Sequence, residues 1–398
     1  MFVCQSAHDN PGSGGRTRVL SEAGLLRKNN IPVAVITFVQ PSKFKKPVAL
    51  LKARKQLARD AAASVTYIPK LPTFENAILI ALGMAWMRLA LRVYNFFYRA
   101  RVMHCHGLSS GELVQGLRSR KSIRLLLDVH GLGAEEESYT KSAPILIRRI
   151  ENEVRLLHQA DWIFFVSESM HTYYCEKGFT GNSFSIVPCL ARRKSIPAGT
   201  ELLQSTPQFP LNNTNSKLIF VYSGSYRKYQ KAEETIRLFT EIKARFSDAF
   251  FLLLTGHADA FRKHLTEANL KPDDYLILSL NQSEVHDYLC RADIAFLLRD
   301  DTPLNRAASP TKFAEYCMAG LPVLVSEGVG DFTKMAAEED LGFVLNGFSY
   351  SLALEEFINN YRLHRSGYKN RTSTFASTRL SWEGAEADYI SNYRKLLS

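Results

Sequence analysis

Residues 305–331 read NRAASPTKFAEYCMAGLPVLVSEGVGD, and the order of local structure they dictate sets the architecture of the whole chain. Residues 305–308 read as a loop. Ser309 and Pro310 then carry the mark of a helix start: a hydroxyl that can cap, and a residue whose fixed φ and missing N–H suit the first helical position. Gly320 stops that short helix, and LPVLVS reads as a buried strand. On the helix Phe313, Tyr316 and Cys317 fall at i, i+3 and i+4 as an apolar stripe, while Thr311, Lys312 and Glu315 share the other face. A helix start suits a phosphate, because unpaired N–H donors and the positive end of the dipole point at it. Glu315, one turn in, is placed for both hydroxyls of a ribose. Together these features suit a nucleotide diphosphate.

Two strand, Gly loop, helix units stand elsewhere in the chain. Residues 1–7 read as a strand, 8–18 (HDNPGSGGRTR) as a Gly-rich loop, 19–29 as a helix and 31–39 as a second strand. The spacing of Gly12, Gly14 and Gly15 does not fit the dinucleotide fingerprint. The second unit has a strand at 217–222, a loop at 223–230 and an amphipathic helix at 232–245; its loop carries Gly224, Arg227 and Lys228, with Lys231 following. Cations beside a helix start make a clamp for a pyrophosphate. Residues 191–216, rich in Pro, Ser, Thr and Asn, read as the linker between two Rossmann-like halves at 1–190 and 217–375. In the first half, strands at 102–106 and 123–129 follow, the latter ending in His130 and Gly131. Helix 143–160, strand 161–167 and helix 168–177 complete it. Strands at 250–255, 275–280 and 294–298 belong to the second half, and the last delivers Arg299, Asp300 and Asp301 to the mouth of the site. Residues 376–398 form a terminal helix with Trp382, Tyr389 and Tyr393.

Composition narrows the class. The 398 residues are enough for two ordinary domains, and 46% hydrophobic with 22% charged content is that of a soluble globular protein. A net charge of +11 implies an acidic partner. No nucleic-acid signature accompanies it, so nucleic acid is set aside. The six cysteines lack paired spacing and read as reduced, in the cytosol. His104, Cys105 and His106 suggest a metal, but no second set of ligands stands near them in sequence, and no metal is expected. The chain opens on an apolar strand without a basic leader region. The longest apolar run, 77–87, is too short to span a bilayer before Arg88 interrupts it. Within the longer helical segment 74–102, arginines stand beside aromatic residues, and a lysine-rich run at 43–59 precedes it. Both features suit an anionic membrane surface.

The run from Glu315 through Gly320 to the strand at 323–326 resembles the nucleotide-sugar site of GT-B glycosyltransferases, in particular the retaining group called family 4. The resemblance spans nearly the whole chain and is most specific over 224–330. In that family a Glu is followed, after seven residues, by a second Glu and then a Gly-x-Pro-Val strand. Glu315 matches the second, which holds the ribose. The first falls at Ala307, so the carboxylate that faces the donor sugar is missing here. The Ser309, Pro310, Thr311, Lys312 opening resembles a variant branch in which backbone N–H groups and Lys312 take over that end. Gly14, Gly15 and Arg18 match a Gly-Gly-x-x-Arg-like loop facing donor phosphates and acceptor, with Arg18 on the acceptor side. The segment LLLDVHGLGAEE (125–136) resembles the strand that aims a His at the donor sugar, which makes His130 the catalytic-centre residue and puts Glu136 toward the acceptor. The family carries an Arg directly after the Gly of the second Gly loop; Ser225 stands there instead, so Lys228 first, then Arg227, would supply the charge.

The resemblance implies an α/β GT-B fold, two Rossmann-like domains facing a central cleft, with the C-terminal helix crossing back to the first. It implies a nucleotide-sugar donor in the second domain and a glycan or lipid-linked acceptor in the first. Transfer with retention would use His130, Lys228 and Glu315, with no cofactor and no metal, since no Asp-x-Asp is present. The setting it suggests is bacterial surface polysaccharide synthesis, in the cytoplasm or peripherally on the inner face of the membrane. Two alternatives stay open: a GT-B sugar-nucleotide epimerase, and a noncatalytic nucleotide-sugar-binding protein, for which the lost carboxylate at Ala307 speaks.

Overall fold

Strands buried on both faces need apolar residues at every position, and LIFVYS and AFFLLL in the second half meet that demand. The computed structural model, which describes residues 1–5, 14–71, 77–117, 123–137, 142–194 and 217–398, makes them adjacent parallel strands, fully buried. The chain divides into two units, Met1–Cys189 with Ala385–Ser398, and Leu190–Gly384.

The first unit is built on seven parallel strands: β1 (Phe2–Cys4), β2 (Ala34–Val39), β3 (Ser64–Pro69), β4 (Val102–His106), β5 (Arg124–Val129), β6 (Trp162–Phe165) and β7 (Phe184–Ile186). Their order is β3-β2-β1-β4-β5-β6-β7. The second has β8 (Leu218–Ser223), β9 (Ala249–Leu254), β10 (Tyr275–Leu278), β11 (Ile294–Leu297), β12 (Val323–Ser326) and β13 (Gly342–Leu345), ordered β10-β9-β8-β11-β12-β13. Both are doubly wound sheets, whose strand order reverses between β1 and β4 in one and between β8 and β11 in the other. Alternate residues feed opposite layers: Ile219, Val221, Leu252 and Ala295 pack on one face of the second sheet, Phe220, Tyr222, Phe251 and Phe296 on the other. An Ala-Asp pair opens one strand of each sheet, and its carboxylate accepts a neighbouring strand's N–H: Asp161 from Leu125 (2.7 Å) and Asp293 from Ile219 (2.8 Å).

Several expectations shift. Residues 303–307 are not a loop but a short helix, Pro303–Ala307, capped by the Thr302 hydroxyl. Pro310, not Ser309, is the N-cap of helix Thr311–Met318. Gly14, Gly15 and Arg18 do not lie on a loop; the first helix begins at Gly14 and runs to Lys28. The rest of that loop, with Gly12, lies outside the described residues, as do the start of the 74–102 segment and linker residues 195–216. Glu135 and Glu136 sit on a helical turn, Gly133–Glu137. The terminal segment is two helices, Arg365–Arg379 and Trp382–Leu397, and its return to the first unit begins at Ala385, not at residue 376. Strand β3 and helix Ala258–Glu267 were not read from the sequence.

Candidate functional site

In a doubly wound sheet, ligands settle outside the carboxyl ends of the strands where the order reverses. In the second unit that point carries a small cavity lined by Tyr222, Ser223, Gln230, Arg299, Lys312 and Tyr316, among others. Tyr316 forms part of its wall, its hydroxyl accepting the Ser223 N–H (2.8 Å). The Tyr222 hydroxyl donates to Gln230 Oε1 (2.8 Å), and a Cβ on Gly224 would stand 2.6 Å from that same oxygen. A side chain at Gly224 would thus displace the Gln230 amide that the Tyr222 hydroxyl holds.

Arg299 follows β11 into this cavity. Its Nη1 donates to the Tyr229 carbonyl (3.1 Å) and its guanidinium stacks 5.0 Å from the Tyr229 ring, but among the described residues no carboxylate pairs with it. The acids beside it in sequence are committed elsewhere, Asp300 to Lys231 (2.7 Å) and Asp301 to Arg306. Desolvation accordingly lowers the Arg299 pKa from its ordinary value. A half-buried cation with no counter-charge is a site waiting for an anion. Lys228 lies exposed on the turn Lys228–Gln230, whose Tyr229 carbonyl holds Arg299, and Arg227 lies exposed just before it; neither has a carboxylate partner among the described residues.

The helix Thr311–Met318 adds its start, where the N-cap residue, Pro310, makes no side-chain capping bond. Lys312 Nζ lies 2.8 Å from Glu315 Oε2, and Gln282 Nε2 donates to Glu315 Oε1 (3.4 Å). The structure thus brings the loop after β10, with Gln282, beside Glu315 and Lys312. Phe313, Tyr316 and Cys317 are buried, which fixes the face on which Lys312 and Glu315 stand. Ala307, where the family's first Glu would fall, is 1% exposed and lies inside the fold.

The first unit's switch point is built otherwise. Arg18 is 3% exposed, and its fork is spent internally: Nε and Nη2 bind both oxygens of Asp128 (2.7 Å each), and Nη1 donates to the carbonyls of Val187 (3.0 Å) and Pro188 (2.9 Å). Its Nε also lies 3.1 Å from Glu22. Arg18, expected on the acceptor side, ties the first helix to β5 and the β7 exit. Burial opposes its charge, and Asp128 and Glu22 outweigh that and raise its pKa further. Burial pushes the Asp128 carboxyl up; Arg18 and a His106 hydrogen bond override it and hold Asp128 well below the usual range. Glu22, also buried, is pushed well above its usual range by desolvation and then by Asp128.

Glu22, His104, His106 and Asp128 offer candidate metal-ligand atoms within 4.8 Å of one another. The second ligand set that His104 and His106 lack in sequence is therefore present in space. Arg18 neutralises Asp128, and burial beside Asp128 pushes Glu22 toward its uncharged form, so we read the cluster as a charge-balanced strut.

His130 follows the carboxyl end of β5 and is exposed, yet the protein around it strips enough water to lower its pKa to about 4, against the pull of Asp128. Contact with solvent moderates that shift, and the imidazole is neutral at pH 7 either way. Glu136, also exposed, has its Oε1 2.7 Å from where a Cβ on Gly131 would stand, so it lies beside His130's neighbour. Desolvation, then Glu137, raises its pKa. Gly14 and Gly15 open the first helix.

Two family models match the chain: "Glycosyltransferase Family 4" over residues 12–190 and "Glycosyl transferases group 1" over 205–373. The chain belongs to these glycosyltransferases. Its fold is GT-B, as in its structural neighbours. Sucrose-phosphate synthase from Thermosynechococcus elongatus matches with a TM-score of 0.69 at 17% identity, covering 100% of this chain and 98% of that one. HepE from Anabaena, solved with UDP, matches at 0.70 and 11% identity, with 99% of each chain covered, and its complex with UDP-glucose at 0.68 and 12%, again with 99% of each covered. A putative UDP-N-acetylglucosamine 2-epimerase from Listeria monocytogenes shares the fold at 0.55 and 12%, with 98% and 94% covered. No curated protein matches the sequence. For this glycosyltransferase the residue that sequence reasoning left without a role is Arg299. The only signal for it was its place after a buried strand of the second half.

Proposed function

We propose that the protein transfers a hexose from a nucleotide-sugar donor to a glycan or lipid-linked acceptor, with retention, in bacterial surface polysaccharide synthesis, acting in the cytoplasm against the inner face of the membrane. The observation that carries the reading is the unneutralised Arg299 at the switch point of the second unit, flanked by Arg227, Lys228 and the uncapped start of helix Thr311–Met318. Departure of a nucleoside diphosphate builds negative charge, and preorganised cations and N–H donors stabilise it as the bond breaks. That set supplies the charge without a divalent ion. Glu315 holds the ribose, and Gly224 lets the backbone approach the phosphates. In front-face transfer the acceptor hydroxyl attacks the anomeric carbon, its proton passes to a donor phosphate oxygen, and the bond to that phosphate breaks. His130, neutral, donates or accepts a hydrogen bond at the donor sugar. HepE, seen with UDP and UDP-glucose, supports the donor class.

The test is a melting-temperature panel with UDP, GDP and their sugars, followed by turnover of a labelled donor. A ligand bound to the folded state alone raises the melting point. Transfer to an acceptor with unchanged rate in EDTA supports the reading. An epimerised nucleotide sugar as product, or binding without turnover, overturns it in favour of the epimerase or the binding protein. Normal turnover of His130→Ala overturns the role of His130.

A further inference from the structure

Helix Ala77–Tyr98 has two apolar faces, and the described residues of the first unit cover only one. Gly83, Met87, Ala90 and Leu91 are buried. Ile78, Leu82, Leu89, Val93 and Phe96 recur at helical spacing on the other side, 47–76% exposed, with Phe97 beside them at 73%. The helix is held along the outermost strand: Trp86 Nε1 donates to the Pro69 carbonyl at the end of β3 (2.8 Å), and the Tyr98 hydroxyl bonds Ser64 at its start (2.8 Å). On the strand's other flank, helix Pro47–Asp60 exposes Val48, Leu51, Lys52 and Lys55 at i, i+3, i+4 and i+7.

Charge decides what covers this face. Residues 23–111 hold fourteen Lys and Arg against two acids, Asp60 and Glu75, so this stretch accounts for the whole positive balance of the chain. A second copy presenting the same face would meet like charge. An anionic bilayer offers both the apolar boundary and the counter-charge.

We propose that the first unit docks on an anionic lipid bilayer through the β3 edge of its sheet, with helix Ala77–Tyr98 lying in the headgroup region and the lysines around helix Pro47–Asp60 on lipid phosphates. The helix is long and apolar enough to cross a membrane by length and composition, with a mean hydropathy of 1.2. It lies on the surface because its inner face is core, and because Arg88 and Arg92, at mid-helix, donate to the carbonyls of Glu112 (3.2 Å) and Gly116 (3.3 Å). Spanning would tear it from the sheet. The proposal deepens the lipid-linked acceptor of the function proposed above and rests on it for purpose.

The full chain is sedimented with phosphatidylcholine vesicles, with and without about one third phosphatidylglycerol. Binding is expected only to the anionic vesicles, falling as salt rises, with a blue shift of tryptophan emission. Phe96→Ser with Phe97→Ser, and separately Lys46→Glu with Lys52→Glu and Lys55→Glu, are each expected to weaken it about tenfold. All of these side chains are exposed, and an unchanged melting point of each variant confirms its fold. Equal binding to neutral vesicles, no binding, no loss in folded variants, a dimer that the Phe variants dissociate, or resistance to a carbonate wash would each overturn the proposal. The UDP melting shift, read on the same samples, reports the transferase separately. A shift without vesicle binding overturns docking alone, and vesicle binding with neither shift nor donor turnover overturns the transferase alone.

Discussion

The two sheets share one winding order and treat its reversal point in opposite ways. In the first, the arginine behind β1 is buried and paired with both oxygens of Asp128, and Glu22 and two histidines close around the pair. In the second, the arginine after β11 has a tyrosine ring and a carbonyl but no acid among the described residues. One arginine already has its counter-ion. The other has none among the described residues, and this contrast tells the proposed donor-binding unit from its partner more surely than the fold does.

The contrast breaks most visibly at Arg18. Arg18→Met leaves Asp128 buried without a counter-charge, and is expected to cost about 3–5 kcal/mol in urea unfolding. If Arg18 served the acceptor instead, stability would hold and only turnover would fall. Arg299→Met is expected to invert that pattern. Donor kcat/KM falls about 100-fold, while the ligand-free melting point holds or rises, because an unpaired half-buried cation has gone. A stability loss comparable to that of Arg18→Met would show Arg299 to be structural. Glu315→Gln sharpens the picture with about a tenfold rise in the Kd for UDP, measured calorimetrically, since one charged hydrogen bond to the ribose is weakened.

The smallest effect concerns His130. Its folded pKa is lowered from the ordinary 6.5 toward about 4, so its contribution to stability is fully present above pH 6.5 and is lost as pH falls through the lowered value. An NMR titration of the ring is expected to show no protonation step near 6.5; a midpoint there would refute the neutral imidazole.

What the sequence made legible follows from how local each feature is. Strand β8, the helix Ala232–Arg245 and the stripe Phe313, Tyr316, Cys317 are written in adjacent residues, and the fold class with them. The helix Pro303–Ala307 was equally local, since Thr302 and Pro303 are a cap and a first position, but the expectation of a loop before Ser309 hid it. Arg18 could not be read, because Asp128 and the Val187 and Pro188 carbonyls reach it from 110 to 170 residues away. The partners of His104 and His106 come from Glu22 and Asp128 in the same way. Arg299 was masked by its neighbours: Asp300 and Asp301 look like its counter-ions in sequence and in space neutralise Lys231 and Arg306. Lys228 stands out in the sequence because a Gly loop is visible there and an unpaired charge is not.

The most direct test is a crystal structure of the protein soaked with UDP or GDP. The diphosphate is expected within hydrogen-bond distance of Arg299 and of the first-turn N–H groups of helix Thr311–Met318, with the ribose hydroxyls on Glu315. A diphosphate bound at the first unit's switch point, or an Arg299 that makes no contact with it, would contradict the account.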